Sequence, residues 1–122
     1  PRLKTDLFEL VDAALHDQPL PAVAVNPAAC LGVVLASKGY PTNPLHGQPL
    51  GRLPQAAGID LDYANVTGSL DNLRGNGGRL LMVLAQADNL QTAHDRVYNY
   101  LANLDEPDCF YRHDIGAKAG LN

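Results

Sequence analysis

Two charge-free apolar runs set between two amphipathic stripes predict an α+β domain: a mainly antiparallel sheet flanked by helices. The runs are Ala29–Ser37 and Leu80–Ala85, and the stripes fall near the two ends of the chain, over 7–15 and 90–104. Read in order, the elements are helix, strand, strand, strand, helix, strand.

The first helix is opened by Thr5 or Asp6, and Glu9 stands three residues beyond Asp6, as a capping box requires. Leu7, Leu10, Val11, Ala14 and Leu15 share one stripe, with Leu3 placed to pack back as a staple. Pro19 and Pro21 end the helix, and residues 18–28 read as an extended surface connector. Asp12, His16 and Asp17 form its wet face. Ala29–Ser37 carries no charge in nine residues, which predicts a strand covered on both faces. Lys38, Gly39 and Pro41 stop it within four residues. A long loop, 42–58, follows without periodicity of its own. Ile59–Val66 is expected as a loosely registered second strand. Gly75, Gly77 and Gly78 then turn the chain tightly into the second apolar strand. Asp88 or Asn89 caps the second helix, whose core stripe is Leu90, Ala93, Val97, Leu101 and Leu104, with Tyr100 at its edge. Pro107 closes it, Phe110–Arg112 reads as a short last strand, and a loose tail follows Gly116.

The totals narrow the classes. The chain has 122 residues, 46% hydrophobic and 18% charged, a balance suited to one compact domain. With a net charge of -4 and only 9 scattered Lys and Arg, no general nucleic-acid surface is expected. No apolar run approaches the roughly 20 residues of a membrane span, so no membrane partner is expected either. The first residue is Pro1 rather than Met, which suggests a piece of a longer chain. Cys30 and Cys109 lie far apart and are read as reduced thiols of a cytoplasmic protein rather than a disulfide. No Cys or His pattern has metal-ligand spacing, and no Gly-x-Ser-x-Gly is present to support hydrolase chemistry.

Two turns carry candidate chemistry. In Lys38-Gly39-Tyr40-Pro41 the lysine and the Gly39 amide suit a phosphate or carboxylate, with Tyr40 as a wall. The same tetrapeptide equally fits a strand-ending turn with a solvated lysine. In Asn76-Gly77-Gly78-Arg79 successive glycine amides suit an anion nest and Arg79 a forked contact. The alternative is a plain hairpin turn. This is no P-loop, since no Gly-Lys-Ser/Thr follows. If the two buried strands are antiparallel neighbours, both turns sit at one end of the sheet and converge. Arg112 and Asp114 fit a structural salt link closing the last strand.

The runs LGVVLASKGYP (31–41), NGGRLLMVLA (76–85) and FYRHDIG (110–116), with the helix through Ala93 and Tyr98 between the last two, together resemble the C-terminal domain of the phosphoribosylamine–glycine ligases, ATP-grasp enzymes of purine biosynthesis. The resemblance covers nearly the whole chain, and PRLKTDL at its start is similar to the helix leaving the family's catalytic core. It implies a rudimentary hybrid-motif fold, with 1–18 linking from the ATP-grasp core and 19–122 forming the C-terminal domain. It also implies an activity: ATP, glycine and 5-phosphoribosylamine give glycinamide ribonucleotide, ADP and phosphate through an acyl phosphate, with Mg²⁺ or Mn²⁺. The family's nucleotide lid, metal-binding Glu and Asn, and Arg-Phe-Gly-Asp-Pro-Glu signature precede this segment. The piece alone is therefore expected to be inactive, to contain no catalytic or metal residue and to bind no cofactor. Its implied partners are the N-terminal and ATP-grasp domains of the same polypeptide and the small-molecule substrates.

By resemblance Arg79 leads the substrate-binding residues as a phosphate contact, with Lys38, Gly39, Tyr40, Asn76, Gly77 and Gly78 around it. Where many members carry a Phe-His-Ala-Gly-Thr-like segment, this chain reads Tyr63-Ala64-Asn65-Val66-Thr67, and that strand is left out of the expected site. The other reading of the residues is a stand-alone binding or scaffold module for a small phosphorylated metabolite.

Overall fold

The computed structural model describes residues 1–120; the end of the expected tail, 121–122, lies outside the described residues. Helix α1 spans Leu7–Leu15 and α2 spans Leu90–Ala102. The strands are β1 (Ala29–Ser37), β2 (Pro49–Gly51), β3 (Asp60–Tyr63), β4 (Val66–Ser69), β5 (Asn72–Gly75), β6 (Arg79–Ala87) and β7 (Cys109–Phe110). They form two antiparallel sheets rather than one, in the orders β3-β6-β1-β7 and β2-β5-β4.

The two apolar runs pair with each other as the centre of the larger sheet, from Ala29 opposite Ala87 to Leu35 opposite Leu81. Helix α2 packs on this pair. Its Asn89 side chain accepts from the Thr92 N–H at 2.8 Å, so of the two expected caps Asn89 is the one used. Ala93, Val97, Tyr100 and Leu101 are buried beneath it with Leu31, Val33, Leu35, Leu80, Leu81 and Val83. Tyr100 is a core residue rather than an edge one, and its hydroxyl donates to the Pro54 carbonyl at 2.8 Å. Leu50, Leu53 and Leu73 of the second sheet and its flanking loop join the same cluster. Each fully buried leucine of this kind contributes roughly 1.5–3 kcal/mol.

Three expectations need correction. Along β1, Leu31, Val33 and Leu35 are buried while Val34 is exposed, so most of the strand is covered on one face. Only its last three residues, Leu35, Ala36 and Ser37, are buried in succession. The strand expected over 59–66 is two strands in different sheets, β3 and β4, divided at Ala64 and Asn65. Its broken alternation was the trace of that division. The last strand is Cys109–Phe110, one residue earlier than expected, and a single 3-10 turn, Ala117–Ala119, occupies the tail.

Helix α1 forms where its stripe places it, and the Asp6 carboxylate accepts from the Phe8 N–H at 2.7 Å. Yet Leu7, Phe8, Val11 and Leu15 are all exposed, and only Ala13 is buried. Leu3 does not staple the helix; it bridges to Val25, and the Thr5 hydroxyl accepts from the Ala24 N–H. The 18–28 connector thus lies beside the first residues as a small arm. Cys30 and Cys109 are free thiols, and no helix among the described residues is long and apolar enough to cross a membrane.

Candidate functional site

The antiparallel pairing of β1 with β6 brings the two turns to one end of the larger sheet. There the ladder is irregular: Leu35 opposes Leu81 but Ala36 opposes Arg79, leaving Leu80 as an extra residue on β6. Such a bulge re-aims the neighbouring side chain, here that of Arg79, the first residue of the strand. Past the end of β3 the chain stays on β6, with Ala64 N–H donating to the Leu80 carbonyl at 2.9 Å and Asn65 N–H to that of Arg79 at 3.2 Å. Arg79 is therefore held between β1 and the segment that continues β3.

The turn before it is no hairpin. Residues 76–78 carry the chain from β5 in one sheet to β6 in the other. Gly77 and Gly78 both have positive φ, at 80° and 67°, which other residues enter only with strain. The space a Cβ on Gly77 would need is filled by the His46 ring. Beneath it, Gln48 is buried, its Nε2 donating to the Ser37 hydroxyl at 2.6 Å while its carboxamide occupies the place of a Gly75 side chain. The long loop thus supplies, through His46 and Gln48, the support on which the glycine turn rests.

Every carbonyl of this turn is consumed. That of Gly75 accepts from Gly47 N–H, those of Asn76 and Gly77 both accept from the Asn65 side-chain amide, at 2.9 and 2.7 Å, and that of Gly78 accepts from Ser37 N–H. The Arg79 carbonyl takes the Asn65 N–H. The N–H groups of Gly77 and Gly78 donate to no acceptor among the described residues. A turn with its acceptors used and its donors left over presents positive polarity, the complement of an anion. The Arg79 side chain likewise makes no ion pair or hydrogen bond among the described residues, and it is exposed.

A cleft of about 630 Å³ opens here. Arg79, Gly78, Tyr40, Tyr63 and Asn65 line it together with the apolar Val34 and Met82, and the Asp62 carboxylate lines it as well. Of the expected residues, Tyr40, Gly78 and Arg79 line it, while Asn76 and Gly77 are joined to it through Asn65. Lys38 and Gly39 do not line it. The Lys38 backbone is engaged with Asp108 and Leu45, and Gly39, at φ 84°, is needed because the Asn43 carbonyl takes the place of a side chain. Tyr63 and Asn65, set aside at the sequence level, belong to the cleft. The only signal for Asn65 was its position between two strand-like runs, where an asparagine amide commonly bonds the backbone.

A second hollow of about 700 Å³ lies between the sheets' other margins, with Pro54, Ile59 and Leu61 on its wall. Its arginine, Arg52, is paired with Asp71 at 3.3 Å, so the larger cavity has the less available cation. Arg112 and Asp114 form the expected salt link, two-pronged and exposed, away from both.

Residues 30–118 match the family model described as phosphoribosylglycinamide synthetase, C domain. This chain belongs to that family. Among its relatives are the phosphoribosylamine–glycine ligases of Streptococcus suis, 37% identical over 98% of this chain, and of Halalkalibacterium halodurans, 39% identical over 98%. The phosphoribosylglycinamide synthetase C domain seen here spans 29% and 28% of the length of those two relatives. The crystal structure of the phosphoribosylamine–glycine ligase of Thermotoga maritima superimposes on 88% of it, with a TM-score of 0.74 at 25% identity, and on 27% of that chain. The α+β architecture is thus shared with that ligase.

Proposed function

We propose that this domain works as the C-terminal part of a cytoplasmic phosphoribosylamine–glycine ligase and that the Gly77–Arg79 turn holds the phosphate of 5-phosphoribosylamine. The observation that carries the reading is the polarity of that turn: its carbonyls accept bonds within the fold, its glycine N–H groups and the Arg79 guanidinium remain as donors, and Gly78 and Arg79 line one cleft. The family membership and the 28–29% share of the relatives' length support a role as one part of the larger enzyme. In that enzyme residues 1–18 would lead from the ATP-grasp core and 19–122 would pack on it.

In the reaction, ATP supplies the phosphoryl group that activates the glycine carboxylate. The resemblance assigns the nucleotide and its Mg²⁺ or Mn²⁺ to the segments that precede this domain in the family. Its task is positional. Arg79 grips the phosphate by a charge-assisted contact, the Gly78 amide completes the grip, and Tyr40 and Tyr63 wall the sugar. The amine is thereby presented toward the glycine side of the cleft, and holding it there lowers the entropic part of the barrier. Lys38 stays in the proposal only as a more distant contributor to the positive field.

The test is Arg79→Ala in the full-length enzyme. Losing a charge-assisted contact of about 1.5–3 kcal/mol raises the KM for phosphoribosylamine roughly 10- to 150-fold, while the KM for ATP stays near that of the parent. An unchanged phosphoribosylamine KM removes Arg79 from the site.

A further inference from the structure

We infer that Asn65 is the positioning residue of the cleft: its side-chain amide, by taking two consecutive carbonyls out of the glycine turn, makes that turn donor-only and fixes the start of β6 from which Arg79 projects. The inference rests on the phosphate-binding reading of the turn and adds a residue that neither turn motif contains.

The geometry is specific to an amide. The Asn65 Nδ2 lies 2.9 Å from the Asn76 carbonyl oxygen and 2.7 Å from that of Gly77. An NH₂ group has two hydrogens and can serve both acceptors, whereas a hydroxyl has one and a carboxylate none. Its Oδ1 is reached in return by Asn76 Nδ2 at 3.4 Å. The backbone of Asn65 is engaged separately, its N–H with the Arg79 carbonyl and its carbonyl with the Asn76 N–H at 2.9 Å. A side-chain substitution therefore leaves the extension of β3 along β6 in place and removes only the grip on the turn. Without that grip two carbonyl dipoles of the turn lose their partner and are free to rotate toward the cleft. There they would oppose a phosphate at the place where the Gly78 donor is needed.

The function follows from electrostatics. A phosphate site assembled from backbone is effective only if its donors outnumber its acceptors at the ligand, and the glycines that allow the backbone to approach also make it mobile. Asn65 addresses both, since it neutralises the acceptors and restrains two glycine-flanked peptides from a backbone step that is itself bonded to Arg79 and Asn76. It lines the cleft itself, yet the bonds it makes are to the turn.

The experiment compares Asn65→Ala, Asn65→Asp and Arg79→Ala in the full-length enzyme, with KM for phosphoribosylamine, ATP and glycine, kcat, and the thermal midpoint measured for each. Asn65→Ala is expected to raise the phosphoribosylamine KM about 10-fold, the loss of two ordinary hydrogen bonds, with kcat and the other two KM values within about twofold of the parent. Asn65→Asp keeps the shape and reverses the chemistry, so it is expected to raise that KM further than alanine does. Should the alanine variant melt early, the isosteric aspartate variant decides, because a role confined to packing would leave it near the parent. Proportional rises in all three KM values, or a phosphoribosylamine KM unmoved by either Asn65 substitution while Arg79→Ala raises it, overturn the inference and leave the phosphate reading standing. If Arg79→Ala is itself without effect, the reading fails first and the inference with it.

Discussion

The two helices of this chain carry the same kind of sequence pattern and meet opposite fates. Helix α2 buries Ala93 and Val97 completely and Leu101 to 2% exposure, against the central strands. In α1, Leu7, Val11 and Leu15 are 63%, 48% and 76% exposed, although their spacing is as regular and the N-terminal cap as well made. Periodicity states which face of a helix avoids water; it does not say what covers that face. For α2 the cover is the β1–β6 pair of the same domain. For α1 none of the described residues supplies it, and the arm built from Leu3, Thr5, Ala24 and Val25 only anchors the chain leading into it. Its apolar stripe lies open in a chain that spans under a third of its relatives' length.

The comparison is broken most directly by truncating one leucine in each helix. Leu101→Ala leaves a cavity in the core and is expected to lower the unfolding free energy of the 122-residue chain by about 2–5 kcal/mol. Leu15→Ala in the same chain changes it by no more than about 0.5 kcal/mol, as at other exposed sites. Urea unfolding of both variants checks this. Comparable losses would mean that α1 is packed in solution and that its stripe has found a partner within the domain.

The caps sharpen the same contrast at smaller amplitude. Asn89→Ala removes the acceptor for the Thr92 N–H and, because α2 is integral to the core, lowers global stability by about 1 kcal/mol. Asp6→Ala removes the acceptor for the Phe8 N–H, but the helix it caps buries only Ala13 and so adds little to global stability. That variant is expected to lose helical circular dichroism while its urea midpoint stays with the parent. A shared shift in midpoint would tie α1 into the cooperative unit.

What was legible in the chain follows the same logic. The limits of β1 and the core of β6 were readable because a long charge-free apolar run is stable only where neighbouring chain shields it from water, and their antiparallel pairing placed both turns at one end. The second sheet was hidden, since β2, β4 and β5 have three or four residues each; β2 and β5 each bury one leucine, Leu50 or Leu73, and β4 buries no residue, its Val66 being only half-covered. That Arg79 and Tyr40 line the cleft was legible because they stand beside the strand ends. Asn65 was missed because its role is to bond carbonyls eleven and twelve residues on, and that relation exists only once Ala64–Asn65 is known to be the step between sheets. The bulge at Leu80 left no mark in the sequence, since the residues that follow it are apolar whichever way they face.

The smallest effect expected concerns how the chain leaves each helix. After α2 it folds back at once to form β7 on the sheet, and burial there raises the Glu106 carboxyl above the usual range, with Asp105 and Asp108 adding to the shift. The same burial, with Glu106 and Asp108, pushes the Cys109 thiol up to about 11. A carboxylate whose folded pKa is raised binds its proton more tightly in the native state. Its favourable contribution is then complete below the unfolded value and is lost as pH rises through the folded one. Glu106→Gln removes that dependence, so the variant is expected to gain slightly on the parent between acidic and neutral pH and to match it most nearly at the acid end. Asp114 works in the other direction, its carboxyl lowered by hydrogen bonding and attraction to Arg112, so its share appears above the unfolded value and fades on acidification. Exposed as that pair is, its share is the lesser one. Urea midpoints for the Glu106→Gln variant and the parent, taken at intervals from acidic to neutral pH, should therefore diverge upward through the series. Parallel curves would mean that the fold-back after α2 does not desolvate Glu106, and that the exit from the buried helix is as wet as the exit from the open one.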